Sequence, residues 1–155
     1  MKKATSLFRS HKTECKESLI EGAGLGIFAT EDIKAGELLE VCQYLIFGGQ
    51  VDPKLPAYLH RDYRFWLDKN KSAYAVVLGW GSMFNSSIEK RNAVWLTPDL
   101  VSEVIPLKID GKPLVIRRMP TGFFEFWTVK DIKAGEEIFT NYHGSSFKEP
   151  KESNI

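Results

Sequence analysis

Three stretches of this chain carry residues that could do chemistry. The first is Gly22-Ala23-Gly24-Leu25-Gly26-Ile27-Phe28-Ala29. Three glycines ahead of an apolar run let the backbone approach a ligand closely. No helical pattern follows, so this is not a dinucleotide-binding fingerprint. The second is Phe84-Asn85-Ser86-Ser87, with Arg91-Asn92 shortly after. The Asn85 amide has two donors and two acceptor sites, which suit either a polar ligand or the joining of two loops. The third is Glu136-Glu137-Ile138-Phe139-Thr140-Asn141-Tyr142. Its tyrosine hydroxyl is either a reactive group or the polar end of a strand. Phe147 follows five residues later. His11, His60 and His143 are scattered, and none is assigned as a general base.

The elements that must position these residues are announced by a repeat. Asp-Ile-Lys-Ala-Gly-Glu occurs at Asp32–Glu37 and again at Asp131–Glu136. Apolar residues precede each copy (Leu25, Ile27, Phe28; Phe126, Trp127, Val129) and follow it (Leu38, Leu39, Val41; Ile138, Phe139). Gly36 and Gly135 supply the positive φ of a tight turn. Each copy therefore predicts a strand–turn–strand device. Between them, Glu37–Phe47 predicts a strand or two, and Gly48–Pro56 a loop. Ala57–Leu67 predicts a short helix with Tyr58, Leu59, Asp62, Tyr63 and Trp66 on one face. Ala73–Leu78 reads as a buried strand, Gly79–Ser87 as a break, and Asn92–Leu96 and Phe123–Val129 as strands. Ile105–Arg118 is a hairpin, with Asp110-Gly111 at its turn. The class is mainly β with some α, built of short irregular strands.

Composition narrows the function. A length of 155 residues suits one domain with one core. A formal net charge of +1 gives no global attraction to nucleic acid. Lys2, Lys3, Arg9 and Lys12 make the start basic, which reads as a solvated tail. No apolar run resembles a signal peptide or a bilayer span, so an intracellular protein is expected, cytoplasmic if bacterial. Cys15 and Cys42 sit in no metal-ligand spacing and read as small buried hydrophobes; no metal is expected.

Taken in order, these segments resemble the SET domain, the fold of one large class of protein-lysine methyltransferases. The family's Gly-x-Gly-x-Phe-Ala stretch matches Gly24–Ala29, and its Ile-x-x-Gly-Glu turn matches Ile33–Glu37. Its Asn-His-Ser segment with a further Asn matches Phe84–Ser87 with Asn92, except that Ser86 replaces the histidine. Its closing Gly-Glu-Glu-Ile and Tyr match Gly135–Ile138 and Tyr142. The closest likeness is to minimal members without cysteine-rich zinc modules. Small β-clip domains of the kind appended to sialic-acid synthases share the turn, but they are shorter and lack the Asn85 and Tyr142 segments.

The resemblance implies a SET-domain β-clip of several short curled sheets with a knot-like C-terminal segment. Residues 12–147 would form it, with an inserted hairpin at about 97–122 and tails at 1–11 and 148–155. It implies S-adenosylmethionine as cofactor, contacted by Gly24, Leu25, Gly26, Phe84, Asn85, Ser86, Tyr142 and Phe147. Tyr142 would be the catalytic tyrosine. Tyr63, Phe65 and Trp127 would line a lysine channel, or simply pack in the core. Thr140, where relatives often carry Phe or Tyr, would leave room for di- or trimethylated products. The substrate would be a protein or peptide lysine, a histone among the options. With only eight residues after Phe147, a second copy of the chain or the peptide would complete the site. A catalytically inactive SET-like binding module is the alternative, made plausible by Ser86.

Overall fold

The computed structural model describes residues 7–48, 64–67 and 73–141. Tyr63, Tyr142, Phe147, His60 and His143 lie outside these residues, as do most of the expected helix and both chain ends. Thirteen short strands are found: β1 Phe8–Arg9, β2 Thr13–Glu17, β3 Leu25–Ala29, β4 Leu38–Cys42, β5 Tyr44–Gly48, β6 Arg64–Trp66, β7 Ala73–Val77, β8 Asn85–Ser86, β9 Ala93–Leu96, β10 Val104–Ile109, β11 Lys112–Arg117, β12 Phe124–Thr128 and β13 Glu137–Thr140. Among the described residues one 3-10 turn, Gly79–Met83, precedes β8. The class is mainly β, as expected, in several small sheets.

The repeat explains the topology, though not as two local hairpins. β3 pairs with β13, and β12 pairs with β4, so each copy's two strands pair with those of the other copy. The sheets are β2-β3-β13-β8 and β1-β4-β12-β9. The two turns clasp each other reciprocally. Ile33 and Ile132 exchange both backbone hydrogen bonds at 2.8 Å. Asp32 accepts from the Ala134 N–H at 3.0 Å, and Asp131 from the Ala35 N–H at 2.9 Å. Inside each turn, Glu37 accepts from the Lys34 N–H and Glu136 from the Lys133 N–H. Gly36 (φ 85°) donates to Thr128, and Gly135 (φ 88°) donates to Ala29. These are the positive φ values that the sequence required. The exchange gives each aspartate a backbone donor from the other copy.

The main core lies between the sheets. Ile27, Phe84, Phe124, Phe126, Ile132 and Ile138 are among its fully buried side chains. Each contributes roughly 1.5–3 kcal/mol through burial, as an upper estimate. Phe65 meets the rings of Trp95 and Phe124 edge-on, with centroids 4.9 and 5.4 Å away. A third sheet, β5-β7-β6, flanks this core. Its β6 corrects the expected helix where it is described. Arg64–Trp66 is extended and pairs with Tyr74–Val76, because β7 offers an edge to an aromatic-rich segment.

The hairpin forms as predicted. Asp110 (φ 50°) and Gly111 (φ 79°) give the two positive φ values of a type I′ turn. Ile105 and Ile116, both 0% exposed, pack onto Leu96 and Trp127 as a second core cluster. The two-residue turn fixes which N–H groups point outward, and Pro106 and Pro113 fall at such positions, one on each edge. Each edge thereby loses a donor that could recruit another strand. The described part of the basic N-terminal stretch, from residue 7, differs from a solvated tail. Phe8–Arg9 pairs with β4, and Arg9 donates to Glu40 while its guanidinium lies 3.7 Å from the Trp80 ring centroid.

Candidate cofactor site

Three of the singled-out segments converge on one end of the β2-β3-β13-β8 sheet. Strand β13 runs between β3 and β8. Ile138 pairs with Ile27 on one side, while Phe139 and Thr140 pair in parallel with Asn85 and Ser86 on the other. The glycine loop is thus brought beside Asn85 by the strand that leads toward Tyr142. That convergence was legible from the order of the motifs.

At the junction sits a residue that the sequence reading quoted within the third stretch but gave no role. Glu137 is 3% exposed. Its Oε1 accepts from Ser18 Oγ at 2.8 Å and from Asn85 Nδ2 at 2.9 Å, and its Oε2 accepts from the Leu19 N–H at 3.1 Å. No cation pairs with it among the described residues. Gly26 lies against the same carboxylate, and a Cβ there would overlap Oε1 and press on the Asn85 amide. A larger residue would have to displace the Glu137 carboxylate from its three donors. The sequence did carry a signal for Glu137: it is a charge on the first residue of a strand that continues with Ile138 and Phe139.

Asn85 itself is half-buried, and its Nδ2 also donates to Leu25 O at 3.0 Å. Both amide hydrogens are therefore spent on the glycine loop and Glu137. Its Oδ1 accepts nothing from the described residues. Both sequence readings of Asn85 find support in this: it ties two loops and presents a carbonyl oxygen outward. Asn92, 9% exposed, backs the site. Its Oδ1 accepts from the Phe139 N–H at 2.8 Å and its Nδ2 donates to Glu137 O at 3.0 Å, so one side chain acts as an extra strand along β13. Thr140 is 1% exposed, and its carbonyl accepts from the Ser87 N–H. Leu25 is 50% exposed at the mouth of the glycine loop.

Several expected contacts are placed elsewhere. Phe84 is 1% exposed and stacks on Phe126 at 4.8 Å, so its ring supports the site from the core instead of facing a ligand. Trp127 belongs to the hairpin cluster, and its indole N–H donates to Glu125 at 3.0 Å. Packing, not a lysine channel, is the environment of that ring, and Phe65 is likewise in the core. Cys42 is buried. Its thiol is pushed up to about 12 by burial and by the neighbouring Glu40, which suits an inert hydrophobe.

The other half of the molecule holds a second buried carboxylate. Glu125 receives Arg118 in a two-pronged ion pair at 2.9 and 2.6 Å, with both side chains 1% exposed. Thr121 and Trp127 donate to it as well. Burial alone would raise its pKa, but the hydrogen bonds from Arg118, then Trp127, hold it below the ordinary glutamate value. This group is closed on all sides and offers nothing to a ligand.

Comparison with known proteins fits this geometry. The SET domain family model matches residues 24–143. The chain is a member of the SET domain family. The structure resembles a candidate histone methyltransferase of Plasmodium falciparum at 25% identity, covering 88% of this chain and 96% of that one, with a TM-score of 0.54. It also resembles a chain of the polycomb repressive complex 2 of Chaetomium thermophilum at 21% identity, covering 90% of this chain and 16% of that one, with a TM-score of 0.53. A form of that complex bound to S-adenosylmethionine matches at 20% identity over 84% of this chain and 15% of that one, with a TM-score of 0.52. At these lower identities the likeness is one of fold. Comparison with curated proteins finds no match.

Proposed function

We propose that this chain is an S-adenosylmethionine-dependent protein-lysine N-methyltransferase. The observation that carries the reading is the convergence of Gly24–Gly26, Asn85 and β13 at one sheet end. Here the buried Gly26 lies under the Asn85 amide nitrogen, which is held by Leu25 O and Glu137. The residues present fit the cofactor: the glycine loop leaves backbone exposed for close approach, and Asn85 Oδ1 is an acceptor for an ammonium group. Bound S-adenosylmethionine would supply an activated methyl group for a lysine amine.

A lysine with its usual pKa of about 10.4 is mostly protonated at neutral pH. An apolar channel lowers that value and favours the neutral nucleophile. Tyr142 is two residues past the end of β13 in sequence, the strand that places Thr140 beside Ser86, and it is the tyrosine proposed to orient the reacting groups. Thr140 offers less bulk than the Phe or Tyr common at that position in relatives, which leaves space for more than one methyl group. The substrate is a lysine in a protein or peptide, with histones the first class to test.

One observation favours a second reading, an inactive SET-like binding module. Phe84 is turned into the core and Ser86 has no ring, so neither gives an aromatic surface to an adenine base. Calorimetry with S-adenosylmethionine separates the two readings. Radiolabelled methyl transfer onto histones and cell extract then tests the enzyme. Binding followed by transfer that Tyr142→Phe abolishes supports the methyltransferase; a wild-type chain that binds no cofactor sinks it.

A further inference from the structure

We propose that Glu137 is a positioning residue that orients the Asn85 amide, so that Asn85 Oδ1 faces the ammonium group of the cofactor's amino-acid half. The inference rests on the S-adenosylmethionine reading above and assigns a role to a residue that does not itself reach the ligand.

An asparagine amide can present either its oxygen or its NH2 group, and only its surroundings decide which. Here the decision is made on one side of the residue. Asn85 Nδ2 lies between two groups that only accept, Glu137 Oε1 at 2.9 Å and Leu25 O at 3.0 Å. A planar amide with its nitrogen held there must turn its oxygen the opposite way, off the Gly26–Glu137 floor. An outward oxygen attracts an ammonium group; an outward NH2 group repels one. Glu137 adds a buried negative charge behind this oxygen, with no cation paired to it among the described residues. A cationic ligand group at Asn85 would then complete the charge balance across one amide.

A carboxylate is the side chain that does this. Three donors converge on Glu137: Ser18 Oγ and Asn85 Nδ2 on one oxygen, and the Leu19 N–H on the other. Glutamine has the same shape but must place an NH2 group at one of these positions. Toward Leu19 it would set donor against donor. Toward Asn85 it would favour a flipped amide, with Oδ1 inward and NH2 outward, and the Leu25 bond would be lost. Either choice weakens the arrangement, and the second reverses the polarity shown to the ligand.

The test uses the full chain and two ligands that differ only in the amino group, S-adenosylhomocysteine and its des-amino analogue. Calorimetry should show that the wild-type chain prefers the amino-bearing ligand. Glu137→Gln should reduce that preference by about tenfold, the scale of one charge-assisted hydrogen bond. Asn85→Ala should remove it too, and the double variant should lose no more than Asn85→Ala alone, because both act through one amide. Equal weakening of both ligands in Glu137→Gln, or an intact preference, overturns the proposal and leaves Glu137 as a loop tie. A wild-type chain that binds neither ligand overturns the cofactor reading itself, which is a different result. Should Glu137→Gln fail to fold, NMR on the unmodified chain still decides. The Asn85 side-chain NH2 protons should stay as slow to exchange with solvent as they are without ligand, and the side-chain carbonyl carbon should shift with S-adenosylhomocysteine but not with the des-amino analogue. An equal carbonyl shift with both ligands, or none, would contradict the proposal.

Discussion

The two four-stranded sheets built on the Asp-Ile-Lys-Ala-Gly-Glu repeats each pair one strand of one copy with one strand of the other, yet they treat a buried carboxylate in opposite ways. Aligning the repeats places Gly26 on Glu125 and Glu137 on Leu38. In the β1-β4-β12-β9 sheet, Glu125 projects from the strand before the turn and is sealed by Arg118, Thr121 and Trp127. In the other sheet that strand has a glycine, and the carboxylate comes from the strand after the turn. It is satisfied by neutral donors from the glycine loop and Asn85. One half spends its charge on stability. The other keeps its charge beside an accessible backbone, which is where a ligand can use it.

Breaking the sealed half should have the largest effect. Arg118→Met leaves Glu125 buried without its cation, and a loss of about 3–5 kcal/mol is expected in urea or thermal unfolding. Because the folded pKa of Glu125 lies below its unfolded value, this stabilisation is fully present above the usual glutamate pKa of about 4.3 and fades as pH falls through the folded value. The wild-type advantage over Arg118→Met should therefore shrink in acid. An advantage that grows in acid would show that the pair is not acting as an ion pair.

Filling the open half comes next. Gly26→Ala drives a methyl group into the Glu137 carboxylate, and a cost of about 1–3 kcal/mol is expected, together with weaker cofactor binding. An alanine variant with wild-type stability and affinity would mean that the loop relaxes freely, and that the close approach at Gly26 is not what sets the site.

These two predictions also show how far the sequence could be read. The turns at Gly36, Gly135 and Asp110-Gly111 were legible because positive φ leaves a mark in residue type. The convergence of Gly24–Gly26, Asn85 and β13 was legible from motif order. The exchange of strands between the repeats was not, because a strand–turn–strand pattern is identical whether its strands pair locally or with a distant copy. The reciprocal Asp32 and Asp131 caps and the Ile33–Ile132 backbone pair mark the exchange. Arg64–Trp66 defeated the helical reading because a partner strand, β7, overrode a partly apolar period. Phe84 and Trp127 show a different limit: residue type marks an aromatic ring as buried or functional, and only the backbone direction says which.

The clasp itself sharpens the comparison at smaller scale. Asp32 is held below the usual aspartate range first by its hydrogen bond from the Ala134 N–H and then by Lys133. Asp131 is held low first by the Ala35 N–H and then by Lys34. Both contribute above the unfolded aspartate pKa of about 3.9 and lose their contribution as pH falls through their lowered folded values. Asp32→Asn and Asp131→Asn should give equal, small losses of Tm at neutral pH, and the double variant should flatten the acid limb of the stability curve. Unequal losses would mean that the two-fold clasp is only approximate in energy. Thr140→Tyr alters the open half alone, and because Thr140 is 1% exposed it also carries an overpacking cost of about 1–3 kcal/mol. Mass spectrometry of methylated peptide should then show the product shifted toward monomethyl-lysine. Wild-type chain giving only monomethyl-lysine would contradict the reading of Thr140.

The central claim, that the open half is a cofactor site, is tested most directly by calorimetric titration of S-adenosylmethionine into three proteins: wild type, Gly26→Ala and Asp131→Asn. The account predicts saturable one-to-one binding by wild type, equal binding by Asp131→Asn, and binding weakened by about tenfold or more in Gly26→Ala. No binding by the wild-type chain, or binding that Gly26→Ala leaves untouched, would contradict it.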